Sequence, residues 1–384
     1  MSGFQFSTTK SLICRPGAAA DLAASVGALL GQHILVVTDP GIRKLGLIDA
    51  ALASLAAAGR AVFVFDAVEA DPSRATLMAA VAAGQTFGAT GVVGFGGGSS
   101  LDVAKLAALL LGSDQPLDEA WGVGNAKGPR LPLVLVPTTA GTGSEVTPVS
   151  IITVENDEKR GVSSAVILPD LAVLDADLTL GLPPAITAAT GVDAMVHAIE
   201  AFTSKSPNNN PLSRMLAREA LRLLGANIET VCAEGSNRPA REAMLLGSML
   251  AGQAFANSPV AAVHALAYPI GGIFHVPHGL SNALVLAPVL RFNAEVQADL
   301  YDEIAADAFP SLAEMGQGRT SAFIDALVSL AARLKLPPRL RDVGIPEEAL
   351  PRMAADAMKQ QRLLVNNPRP VSEADALAIY RAAW

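Results

Sequence analysis

The chain has 384 residues, more than one hydrophobic core usually accommodates, so two domains are expected. Hydrophobic residues make up 51% and charged residues 17%, which excludes a disordered chain, and a net charge of −8 without any run of Lys or Arg disfavours phosphate-backbone binding. The two cysteines, Cys14 and Cys232, lack paired spacing and no positively charged, then apolar leader opens the chain, so a cytoplasmic protein with free thiols is expected.

The first half alternates strand-like and helix-like segments. His33-Ile-Leu-Val-Val-Thr-Asp39 is a short apolar run ending in a polar turn, as a buried parallel strand does. A helix is predicted from about Gly41 to Ala58, then a strand over Ala61-Val-Phe-Val-Phe-Asp66. Asp71-Pro-Ser reads as an N-cap opening a helix that runs to about Phe87. Gly91-Val-Val-Gly-Phe and Leu131 to Pro137 are further strands. Strands alternating with helices imply a parallel sheet covered on both faces. Beyond Leu182-Pro-Pro184 long Ala- and Leu-rich helical segments take over, which puts the boundary between residues 1–182 and 183–384. The fold class is therefore an α/β domain followed by an all-α domain.

Gly96-Gly-Gly-Ser-Ser-Leu-Asp-Val-Ala-Lys105 follows a strand and opens a helix. Glycines at Gly96, Gly97 and Gly98 let backbone approach a pyrophosphate at a helix N-terminus; a tight strand-to-helix turn needs the same residues. The run is not the Gly-x-Gly-x-x-Gly fingerprint. Pro137-Thr-Thr-Ala-Gly-Thr-Gly-Ser-Glu-Val-Thr147 is a second, hydroxyl-dense loop at a strand end. Two such loops at the C-terminal edge of one sheet carry more weight than either alone, because parallel sheets bind ligands there. Asp39 ends the first strong strand, where a carboxylate accepts from a ribose diol and repels a 2′-phosphate. NAD is thus expected over NADP, unless Asp39 is an ordinary turn residue.

In the second half Asp193 and His197 lie four apart in a helical segment, so their side chains share one face. His264 and His278 follow. A lone His is more often a hydrogen-bonded core residue than a ligand, and i, i+4 pairs are common. The surroundings favour ligands: the chain has five histidines, and residues 243–290 contain no Asp, Glu, Lys or Arg. Unpaired imidazoles in so apolar a segment are costly, and one divalent metal partners several at once. A membrane span is disfavoured there, because Gln253, Asn257, Pro259, Pro269, Gly271, Gly272, Pro277 and Asn282 interrupt the segment.

Taken with these segments, the chain resembles the iron-containing (group III) alcohol dehydrogenase family over nearly its whole length. The resemblance rests on Gly96-Gly-Gly-Ser99, Pro137-Thr-Thr-Ala-Gly-Thr-Gly-Ser144, Gly191-Val-Asp-Ala-Met-Val-His-Ala-Ile-Glu200, His264-Ala-Leu-Ala-Tyr-Pro269 and Pro277-His-Gly-Leu-Ser-Asn282. It implies an N-terminal NAD-binding domain of the dehydroquinate-synthase-like fold and a helical metal-binding and substrate domain. It also implies Fe(II) on Asp193, His197, His264 and His278. Softness alone would equally suit Zn(II) or another divalent metal. Cofactor contacts implied by the resemblance are Asp39, Asp71, Gly97, Gly98, Ser99, Thr138, Thr139, Thr142 and Lys159, and Phe255 matches an aromatic beside the nicotinamide.

The implied chemistry is hydride transfer between an alcohol and its aldehyde or ketone. An open metal site lowers the pKa of a bound hydroxyl and polarises a carbonyl. The chain departs from some relatives at Tyr268, where they carry a proton-carrying His; an ordinary phenol, with a pKa near 10, is a poorer shuttle at neutral pH. His275, three residues before His278, is the candidate substitute, although a lone His is more often structural. Within the same fold, a metal-independent maleylacetate-reductase-like enzyme and a zinc polyol dehydrogenase or dehydroquinate-synthase-like lyase are the alternatives. The former loses the ligand pattern, which this chain keeps. An idle metal- or nucleotide-binding scaffold is the alternative outside enzymes. Expected partners are a small alcohol or aldehyde and further copies of the chain as a homodimer or larger homo-oligomer, with no nucleic acid and no membrane.

Overall fold

The computed structural model describes residues 3–155 and 158–384. Nine strands form in chain order: β1 (Ser11–Cys14), β2 (His33–Val37), β3 (Ala61–Phe65), β4 (Gly91–Gly96), β5 (Gly122–Val123), β6 (Leu133–Pro137), β7 (Val149–Thr153), β8 (Lys159–Ser163) and β9 (Leu171–Leu174), counted among the described residues. Six make one parallel sheet in the order β1-β9-β6-β4-β2-β3. The other three make a small sheet around the β7–β8 hairpin.

Period-2 alternation divides the large sheet into two apolar faces. Leu35, Val37, Val92, Leu133 and Leu135 face one core, built with helices α4 (Arg74–Phe87) and α5 (Gly98–Gly112). Ile34, Val36, Val93, Phe95, Val134 and Val136 face the other, with Leu22 and Val26 from α1 (Leu22–Val26) and Ala51 and Leu55 from α3 (Asp49–Ala57). Burial on both faces explains why these strands are continuous apolar runs.

The chain first runs from β2 to the edge strand β3, then returns to lay β4 on the other side of β2. The strand order reverses between β2 and β4, and open parallel sheets bind ligands at the carboxyl ends of the strands at such a point. Asp39 and Gly96 lie at those two ends.

Two sequence expectations are corrected here. The helix expected over Gly41 to Ala58 is two, α2 (Pro40–Lys44) and α3, because Gly46 turns to φ 68° and breaks the run. The cap of α4 is Ser73, not Asp71: the Ser73 hydroxyl accepts from the Thr76 amide at 3.1 Å. Asp71 itself adopts φ 54° and turns its carboxylate to Lys159, 2.6 Å away.

A short helix, α6 (Leu117–Ala120), completes the sheet unit, which comprises Ser7–Thr139 and Gly143–Leu180. A second, all-helical unit comprises residues 3–6, Ala140–Thr142 and Gly181–Trp384. Its helices are α7 (Pro184–Thr203), α8 (Pro211–Ala233), α9 (Arg238–Asn257), α10 (Ala262–Phe274), α11 (His278–Ala308), α12 (Arg319–Arg333), α13 (Leu350–Ala357), α14 (Gln361–Leu364) and α15 (Glu373–Ala383). Proline at the start of α7, where a missing amide costs nothing, marks the switch.

Helix α7 is buried from Gly191 to Thr203 and packs against α8, α9 and α11. Gly279 lets the first turn of α11 press on α7, since a Cβ there would strike the Ala189 carbonyl and lie 3.2 Å from Asp193 Cβ. Among the described residues no helix is long and apolar enough to cross a membrane.

Candidate metal centre and cofactor loops

Helical spacing puts Asp193 and His197 on one face of α7; α10 contributes His264 from its first turn and α11 contributes His278 as its first residue. One carboxylate oxygen and one nitrogen from each imidazole lie within 4.8 Å of one another. Asp193 Oδ1 is 3.9 Å from His264 Nε2 and 3.8 Å from His278 Nε2. The rings of His197 and His264 stack at 4.7 Å, and those of His264 and His278 tilt at 5.4 Å. Asp193, His197 and His264 are buried, whereas the His278 side chain is 39% exposed, so the cluster has one open side.

The backs of two rings are tied down. His264 Nδ1 donates to Glu200 Oε2 at 2.6 Å, and Glu200 Oε1 accepts from the Val263 amide at 2.7 Å. His197 Nδ1 donates to the Gly141 carbonyl at 3.2 Å. These bonds fix the tautomers and leave both Nε2 lone pairs facing the cluster, the arrangement metal-bound histidines need. Burial pushes His197 down to about 3, so its imidazole is neutral and its lone pair free at physiological pH. Burial alone would raise Asp193, but attraction to the three imidazoles and the Asn282 amide holds it below the ordinary carboxylate range. Three imidazole nitrogens and one carboxylate oxygen fit a divalent transition metal.

Sequence reading missed Glu200 and Asn282. Glu200 lies seven residues beyond Asp193 on the same face of α7, and Asn282 four beyond His278 on α11. That spacing was the available signal. Phe255 of α9 stacks on His197 at 4.4 Å. Tyr268, one turn past His264, sets its ring 6.2 Å from that of His278. His275 caps α10 in the left-handed conformation, φ 55°, is exposed and lies outside the metal cluster.

At the sheet edge, Gly96 adopts φ 152°, and a Cβ there would lie 2.7 Å from Ser100 Oγ and 3.2 Å from Asp39 Oδ2. Gly97 is the N-cap of α5, whose first residues are Gly98 and Ser99. Thr139 lies beside Gly97, and the Thr138 amide donates to the Gly96 carbonyl at 3.0 Å. Asp39 uses Oδ1 to cap α2 through the Ile42 amide at 2.9 Å, leaving Oδ2 toward Ser100 at 3.5 Å. Asp71 and Lys159, expected as separate contacts, pair with each other; Lys159 also donates to Thr153 Oγ1 at 2.9 Å. Thr142 belongs to the short segment that clusters with the helical unit.

Behind the glycine loop lies a second buried polar cluster. Lys105 of α5 donates to Ser144 Oγ at 2.7 Å, Thr147 Oγ1 at 3.1 Å and the Val149 carbonyl at 2.6 Å. Asp102 lies 3.6 Å away and accepts from Ser144 Oγ and the Ile151 amide. Burial pulls Lys105 and Asp102 toward their neutral forms and raises Glu145 to about 7.

A doubly wound sheet with small-residue loops at its switch point, followed by a helical unit with an Asp–His₃ set, defines the dehydroquinate-synthase-like fold of metal-dependent dehydrogenases. Residues 9–176 match the family described as iron-containing alcohol dehydrogenase, and residues 187–384 match the C-terminal part of the Fe-containing alcohol dehydrogenase family. Long-chain-alcohol dehydrogenase 1 of Geobacillus thermodenitrificans is 40% identical over 376 residues, covering 96% of this chain and 93% of that protein. Sulfoacetaldehyde reductase of Bilophila wadsworthia is 36% identical over 98% of this chain and 97% of its own. A crystal structure of 1,3-propanediol oxidoreductase superposes with a TM-score of 0.95 at 34% identity, covering 100% of both chains. Sulfoacetaldehyde reductase from Bifidobacterium kashiwanohense in complex with NAD+ gives 0.86 at 29% identity, over 100% of this chain and 99% of that one. The chain belongs to the iron-containing alcohol dehydrogenase family and is an oxidoreductase of the alcohol–aldehyde class.

Proposed function

We propose that this chain is an Fe(II)-dependent, NAD-linked dehydrogenase or reductase interconverting a small alcohol and its aldehyde or ketone. The observation that carries the reading is the meeting of Asp193, His197, His264 and His278 within 4.8 Å, with the backs of His197 and His264 anchored. A divalent ion held there keeps net positive charge beside three neutral imidazoles and one carboxylate, and supplies the Lewis acidity that weakens an alcohol O–H and polarises a carbonyl. Glu200 and the Gly141 carbonyl keep the ligand rings from turning. Phe255 shields His197 and offers an apolar wall that keeps water from the hydride path.

The N-terminal domain, residues 1–182, takes the NAD, and residues 183–384 take metal and substrate. Gly96, Gly97, Gly98 and Ser99 present backbone at the start of α5 to the pyrophosphate, with Thr138, Thr139 and Thr142 as hydroxyl contacts. Asp39 keeps Oδ2 for the ribose diol; Asp71 and Lys159 reach the same ribose as an ion pair. Tyr268 lines the substrate side of His278 and passes the hydroxyl proton, with His275 at the surface end of that route. The enzyme is cytoplasmic and works as a homodimer or larger homo-oligomer.

The test is turnover of an alcohol panel, followed by NADH absorbance, before and after anaerobic chelation. Activity is expected to vanish on chelation and return with Fe(II); full activity without metal contradicts the reading. Replacing Asp39 with Gly is expected to move the NAD-to-NADP ratio of kcat/KM toward NADP by at least about tenfold, as removal of a like-charge contact with the 2′-phosphate requires. An unchanged ratio removes that role.

A further inference from the structure

We infer that Asn282 is a positioning residue that sets how Asp193 binds the metal, an inference that rests on the ligand assignment proposed above. Asn282 is fully buried, and its Nδ2 lies 2.6 Å from Asp193 Oδ1, 3.3 Å from His264 Nε2 and 3.3 Å from His278 Nε2. One amide nitrogen thus spans ligand atoms from α7, α10 and α11. Its own Oδ1 is buried without a partner. Turning the amide over would set that oxygen against a carboxylate and two imidazole lone pairs, so the ligand atoms dictate its orientation, even at the cost of an unsatisfied acceptor.

An amide has two N–H groups for these three acceptors. The bond to the carboxylate is charge-assisted and the shortest. When imidazole lone pairs turn to a cation, the amide gives them up but keeps Asp193 Oδ1, which has a further lone pair. Asn282 therefore holds the carboxylate with Oδ1 toward the histidines and prevents it from swinging to offer both oxygens. Its effect is on coordination number as well as affinity.

The experiment is Co(II) titration of the metal-stripped wild type, Asn282→Ala and Asn282→Leu, reading affinity and the ligand-field spectrum together. Leucine keeps the volume of the amide without its donor, so it stands if the alanine variant fails to fold. Both variants are expected to bind one Co(II) about 10- to 100-fold more weakly, the range for an outer partner of a ligand. Their absorption is expected to weaken as the carboxylate becomes bidentate. Wild-type affinity, or weaker binding with an unchanged spectrum, overturns the role, because loosened packing alone does not alter coordination. A wild type that takes up no Co(II) overturns the ligand assignment itself, which separates the two failures.

Discussion

In the sheet unit Lys105 is fully buried, and each of its three donors meets an acceptor supplied by the protein. In the helical unit Asp193 and three imidazoles bring four acceptor atoms together, with one amide among them. Both clusters sit in low dielectric, yet they differ in balance. The first meets every donor of its lysine, so it holds α5 to the segment from Ser144 to Val149, and Glu145 Oε1 is left without a hydrogen bond there. The second has one amide donor among four ligand atoms, a surplus of lone pairs that a cation would take up. A buried polar cluster therefore declares its role by the surplus left after its internal bonds are counted.

The largest expected effect falls on the closed cluster. Lys105→Met leaves Asp102 without its cation and is expected to destabilise the fold by about 3–5 kcal/mol in denaturant unfolding, while one metal per chain is retained. A change below 1 kcal/mol, or loss of metal, breaks the distinction between the clusters. On the open cluster, Glu200→Gln weakens the anchor of His264 and is expected to lower metal affinity about 10- to 100-fold with little change in melting temperature. Equal affinity in variant and wild type removes Glu200 from the site.

A smaller effect sharpens the picture of the closed cluster through pH. Burial holds the Glu145 carboxyl at about 7 instead of 4.5. Between those values the folded chain keeps a proton that the unfolded chain releases, so this group's stabilisation is present below 4.5 and is lost as pH rises to 7. Glu145→Gln keeps the shape without the titration. Wild-type stability is expected to fall relative to the variant across that window, and parallel curves contradict it.

Much of this was legible in the sequence, for physical reasons that differ by region. Strands β2, β4 and β6 could be read because burial on both faces makes them plain apolar runs, whereas the mostly exposed edge strand β1 and the four-residue β9 were not singled out. The Asp193, His197, His264 and His278 cluster could be read because helical periodicity and a charge-free segment single out few residues. The cap on Ser73, the break at Gly46 and the Asp71–Lys159 pair could not, since each depends on backbone turns or on contacts distant in sequence. The partners of Lys105 lie 39 to 44 positions along the chain and meet it only once β7 is in place. Spacing placed Glu200 and Asn282 on the correct faces, but it does not tell which nitrogen of a ring each will meet.

The most direct measurement is metal content per chain, by elemental analysis of protein purified without oxygen, for the wild type and for His264→Ala. Close to one iron per wild-type chain and close to none in the variant are expected, with NADH binding and helical content preserved. Metal retained at the wild-type level in His264→Ala contradicts the ligand assignment.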